Sequence, residues 1–180
     1  MAAPTLLSPN TGNLAVGKGI VSFQKSGDSE FRDVGEVREF EVTLAIEQLE
    51  HFTQRSGVRE KDLTVVLSRG GQARMIMEEW TPENMSVMMM GTVDTGAVGG
   101  PLLTIMDEDA IEGKLKFVGT NEVGPKYILI LERVRFTPSA SLNMLSGDDW
   151  GGLEVTGEIL KSESTGEFGT VQLTNLGSET

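Results

Sequence analysis

The sequence predicts a mainly β protein: a β-sandwich or barrel-like domain with one short flanking α-helix near 82–90 and a long protruding hairpin loop near 50–62. Three observations carry this. Apolar residues recur with a period of two in run after run. The chain holds 22 glycines and 6% aromatic residues, a composition of short strands joined by tight turns. Its 180 residues suit a single core, since a chain of that size buries about 70% of its unfolded surface. No repeat of roughly 20–50 residues and no long linker divides it, so 1–180 reads as one domain.

The elements follow in order. MAAPTLLSPNTG lacks the basic and apolar segments of a secretion signal; residues 1–18, like 175–180, read as flexible arms. IVSF (20–23) is a first strand. In EFEVTLAI, Phe40, Val42, Leu44 and Ile46 alternate with Glu41, Thr43 and Ala45, which sends the first set to the core. Glu39, Glu41 and Thr43 then share an exposed face. LTVVL (63–67) and ARMIM (73–77) are strands joined by SRGG, a hairpin signal. WTPENMSVMMMG breaks the period: Thr81 stands as N-cap, Pro82 at the first helical position, Glu83 in the first turn and Gly91 at the stop. Met85, Met88 and Met89 fall on one face of that helix as core filling. GTVDTGAVGGP (91–101) is a glycine-rich connection and KSESTGE (161–167) a polar one. LLTIM (102–106), KLKFVG (114–119), YILILERVRF (127–136), LEVTGEIL (153–160) and GTVQLT (169–174) complete the strands.

Composition removes many chemistries. There is no cysteine, hence no disulfide, thiolate nucleophile or Cys-ligated zinc. A single histidine leaves no His-rich metal site. Fifteen basic against 27 acidic residues give a net charge of −12, which disfavours nucleic-acid binding by charge neutralisation yet suits a surface that DNA passes without sticking. No apolar run approaches the roughly 20 residues of a membrane span, so a protein kept or assembled in the cytosol is expected.

The motifs that suggest chemistry fail on inspection. GNLAVGKG (12–19) fits the start of a phosphate-binding loop but ends in Gly19, where Ser or Thr should hold magnesium. A strand rather than a helix follows it. DEDAIEG (107–113) clusters acids, but Ile111 occupies a ligand position of the calcium loop. In GDDWGG (147–152), Asp148 and Asp149 are adjacent and would point apart on a strand; a turn with Trp150 covering core accounts for them. His51 with Ser56 or Ser68 lacks a nucleophile elbow. The expectation is of no enzyme and no cofactor.

EHFTQRSGVREKD remains. It sets Arg55, Arg59, Lys61 and Phe52 on a protrusion from an acidic chain, an arrangement that favours head-to-tail self-association of unlike patches, closing into rings or running into filaments. Ordering a dozen loop residues costs roughly 1–2 kcal/mol each, so a loop that is mobile until it docks is expected.

FRDVGEVREFEVTL (31–44), LEHFTQRSGVREKDLTVV (49–66), EEWTPENMSVMMMG (78–91), GPKYILILERVRFTPSASL (124–142) and GDDWGGLEVTGEILK (147–161), in that order, resemble the major tail tube proteins of tailed bacteriophages. The resemblance implies hexameric rings stacked into a hollow tube through which double-stranded DNA leaves the capsid. The loop would reach the adjacent ring through Glu50, His51, Phe52, Arg55, Arg59, Lys61 and Asp62. It implies tape-measure, tail-tip and tail-terminator proteins as partners, no membrane, and a place in the virion tail after assembly in host cytoplasm. Glu39, Glu41 and Thr43 are candidates for a lumen-facing surface. Two other readings compete: a binding module for carbohydrate or calcium using 107–112 and Trp150, and a ring-forming relative such as a tail terminator or secretion-tube protein.

Overall fold

A computed structural model describes residues 14–55, 57–121, 124–137, 141–142, 144 and 150–174. The elements are β1 (Gly19–Lys25), β2 (Arg32–Asp33), β3 (Val37–Thr53), β4 (Glu60–Met77), α1 (Pro82–Met89), β5 (Thr92–Asp94), β6 (Leu102–Thr104), β7 (Ile111–Gly119), β8 (Lys126–Thr137), β9 (Leu153–Ile159) and β10 (Gly169–Thr174). Mainly β with one short helix is therefore correct. One antiparallel sheet runs β2-β1-β7-β8-β9-β4-β3, with β10 added beside β8. The second half of β8 pairs with β9 and its first half with β10, so both share one edge of β8.

The sheet curls back on itself. Phe40 of β3 stacks on Phe117 of β7 with ring centroids 5.8 Å apart, although three strands separate β3 from β7 in the sheet order. Inside the curl lie the inward residues of the alternating strands: Val21 and Phe23, Met75 and Met77, Leu115, Val134 and Phe136, Val155 and Ile159. Phe23 meets Phe136 edge-on at 5.4 Å. The two layers and the helix on their rim make the sandwich or barrel-like domain that the period-two pattern predicts.

The helix forms for the reasons its sequence gives. Thr81 Oγ1 accepts from Asn84 N at 3.2 Å and Pro82 begins the first turn. Of the three methionines expected on the core, Met88 is buried, while Met85 and Met89 pack part-buried against it. Asn84, fully buried, ties the helix down: its amide donates to the Val34 and Glu79 carbonyls and its oxygen accepts from Arg32. The left-handed cap is Met90 (φ 49) and not Gly91. A Cβ on Gly91 would sit 2.2 Å from the Thr104 carbonyl, so that glycine is required for close approach to β6.

Several expectations are corrected. SRGG (68–71) is not a turn; β4 runs unbroken through it, with Ser68, Arg69, Gly70 and Gly71 opposite Glu47, Ile46, Ala45 and Leu44. Residues 50–62 are not an open loop that orders on docking. Their ladder is already formed as far as Thr53↔Glu60, and only 54–59 turns the chain. Leu44 and Ile46 do not continue the core begun by Phe40 and Val42, because the paired strands have left the body by then. The 91–101 connection contains β5, which pairs with β6. Trp150 does not cover the core; it is 84% exposed, while Trp80 packs beside Gly151 and donates to its carbonyl. Asp148, Asp149 and the arms 1–13 and 175–180 lie outside the described residues.

Candidate docking surface

The outstanding surface feature is the ribbon of β3 and β4. β9 accompanies β4 only along Gly71–Met77, and β3 is the last strand of the sheet. From Ala45 outward, opposite Gly70, the two strands therefore pair with each other alone among the described strands. The nine residues 45–53 of β3, at about 3.3 Å each, carry the ribbon roughly 30 Å from the body. A two-stranded ribbon in water is marginally stable by itself, and both of its edges present unpaired backbone groups of the kind that recruit another strand.

Its side chains are those of a covered surface. Leu44 is 75% exposed, Ile46 59%, Leu49 59% and Leu63 56%, with Val65, Val66 and Leu67 also exposed. The run of large apolar residues on a thin projection marks an interaction site. Between these lie paired polar groups: Lys61 donates to Glu50, Ser68 to Glu47 at 3.0 Å, and His51 Nδ1 lies 2.6 Å from Asp62 Oδ1. Arg59 lies over the Phe52 ring, 4.3 Å from its centroid. The seven contact residues named from sequence are thus gathered at the outer end. Arg55 and Arg59 sit exposed in the turn, Phe52 is part-buried beneath Arg59, and Glu50, His51, Lys61 and Asp62 stand exposed on the paired strands. The sequence reading missed the aliphatic stretch behind them. Its signal is the alternation itself, which slips by one residue between Ile46 and Leu49.

Glu39, Glu41 and Thr43 are exposed as expected. Arg74 bridges Glu39 at 2.7 Å and Glu154 at 2.6 Å, and those hydrogen bonds, Glu154's first, raise its pKa above the ordinary guanidinium value. With Glu158 on the adjoining strand, this face carries four glutamates around Arg74 and is acidic.

The chemistry-bearing motifs do not assemble. Asp107 accepts from Thr92, Glu108 pairs with Lys25 at 2.7 Å, and Glu112 pairs with Arg133 at 2.9 Å. Among the described residues no three His, Asp or Glu side chains are placed to hold a metal ion. Gly19 opens a strand and no helix follows it. Ser68 stands opposite Glu47, four positions along the ribbon from His51, which is about 13 Å at strand spacing; Ser56 lies outside the described residues. No helix of the described residues is long and apolar enough to cross a membrane.

Residues 14–101, which include the ribbon and the helix, are similar to a family described as protein of unknown function UCP028589. No curated protein matches the sequence.

Proposed function

We propose that the chain is a structural subunit of a bacteriophage tail tube, acting by self-assembly into stacked hexameric rings around a channel for DNA. The observation that carries this is the ribbon. A projection of roughly 30 Å with exposed aliphatic residues on an otherwise acidic body needs a covering surface, and the resemblance of five ordered segments to tail tube proteins supplies one: other copies of the chain. Closing several such sheets into a ring would remove their exposed edges.

The acidic face of Glu39, Glu41, Glu154 and Glu158 is the surface best suited to the lumen, because like charge repels phosphate and gives DNA no place to dwell. Tape-measure, tail-tip and tail-terminator proteins would be its other partners, and the virion tail its final location. Catalysis has no part in this role.

Negative-stain electron microscopy across a concentration series tests it, with a variant lacking residues 52–60 beside the intact chain. Hollow tubes or stacked rings from the intact chain, and single rings or monomers from the deletion, are expected. Discrete hexamers that never stack, at any concentration, would favour a ring-forming relative instead.

A further inference from the structure

The ribbon has two faces, and its aliphatic residues change from one to the other part-way along. On β3 the alternation is uninterrupted, so Leu44 and Ile46 lie on the face of Phe40 and Val42, while Leu49 lies on the opposite face. Leu63 and Val65, directly opposite His51 and Leu49, share the face of Leu49. The change coincides with a bulge in β4, where the partner register jumps from Ser68 to Val66 across Glu47 and Gln48. Bulges bend a strand and re-aim its side chains.

A two-stranded ribbon is one layer thick. One rigid body laid against its inner half covers Leu44 and Ile46 but leaves Leu49, Leu63 and Val65 pointing into water on the far side. Each half therefore requires its own cover. The charge pattern identifies the occupant. Residues 44–69 hold four acids and four bases, so the whole net charge of −12 resides on the remainder of the chain. The turn 54–59 carries Arg55 and Arg59 and no acid. The complementary surface for a neutral, aliphatic ribbon with a basic end is the acidic body of this same chain.

We infer that the ribbon is held between two different neighbouring copies, one against the inner half at Leu44 and Ile46, the other against the opposite face of the outer half at Leu49, Leu63 and Val65. The inference rests on the self-assembly reading and specifies its contacts. Disabling one half leaves the other contact intact, so assembly stops at an intermediate and not at the monomer.

The test compares the intact chain with two double variants, Leu44→Thr with Ile46→Thr and Leu49→Thr with Leu63→Thr, by sedimentation velocity over a 100-fold concentration range. Threonine keeps strand preference while removing the aliphatic surface. Unfolding midpoints near that of the intact chain, together with the conservative pair Leu44→Val and Ile46→Val retaining polymers, exclude misfolding as the cause. Loss of polymers in both Thr variants, each arrested at an oligomer larger than a monomer and of a different size, is the expected result. Two monomeric variants, two oligomers of one size, or polymers that persist in either variant would overturn the two-neighbour arrangement while leaving self-assembly standing. An intact chain that stays monomeric throughout would instead remove the self-assembly reading, and this inference with it.

Discussion

Replacing Gly71 and Gly70 in turn by alanine separates a continuous β4 from a turn at SRGG. At Gly71 an added Cβ would lie 2.5 Å from the Thr43 carbonyl oxygen and 3.3 Å from Leu44 Cα, both backbone atoms of the paired strand. Neither can rotate aside, so the ladder must part by roughly 1 Å to reach ordinary contact, an overpacking cost of about 1–3 kcal/mol. At Gly70 the nearest atom is the Ile159 oxygen at 4.0 Å. Alanine fits there and, by restricting the unfolded chain, stabilises by about 0.4–1 kcal/mol. For a chain of this length each kcal/mol moves the melting temperature by about 2–4 °C. Gly71→Ala should melt lower by about 2–12 °C and Gly70→Ala higher by about 1–4 °C, measured by circular dichroism in dilute protein. In a flexible turn both substitutions would behave alike. Equal shifts, or a larger loss at Gly70, would refute the continuous strand and with it the ribbon.

Asn84→Ala removes the amide that satisfies two carbonyls and the oxygen that receives Arg32; buried groups left without partners cost about 2–4 kcal/mol, read as a lower urea midpoint. Thr81→Ala deletes the cap on Asn84 N and should lower stability by about 1 kcal/mol without altering self-association. If the basic turn meets an acidic body, polymer formation should weaken as salt rises from about 0.05 to 0.5 M, where screening shortens the reach of charge. Arg55→Gln with Arg59→Gln should then abolish most of that salt dependence in sedimentation experiments.

The sequence was most legible where local chemistry and tertiary packing agree. The Thr81-Pro82 start is fixed by atoms within one turn, and KLKFVG alternates because Leu115 and Phe117 face the core while Lys114 and Lys116 lie on the other face. It misled where a pattern had two physical readings. Ser-Arg-Gly-Gly is good turn chemistry, but Gly71 is needed because Thr43 backbone passes too close for a Cβ. Leu44 and Ile46 carry the same alternation as Phe40 and Val42, yet periodicity reports only which residues share a face. Whether that face meets the chain's own core or something beyond it depends on where β9 stops. The charged run at 50–62 similarly read as a loop, although its alternation of His51 and Thr53 against Leu63 and Glu60 is that of a ladder.

The shared edge of β8 has a consequence for the order in which the molecule is made. The ribbon is a local hairpin, complete once Met77 has been synthesised, and hairpins close in about 1–10 μs. Its body requires β8, β9 and β10, the last ending at Thr174. At roughly 5–20 residues per second, that stretch takes on the order of 5–20 s to appear. For those seconds Leu44, Ile46, Leu49 and Leu63 stand on a nascent chain that has neither its own core nor neighbours to cover them. Residues 44–69 also hold four acids and four bases, and charges set beside an exposed aliphatic run lower its tendency to aggregate.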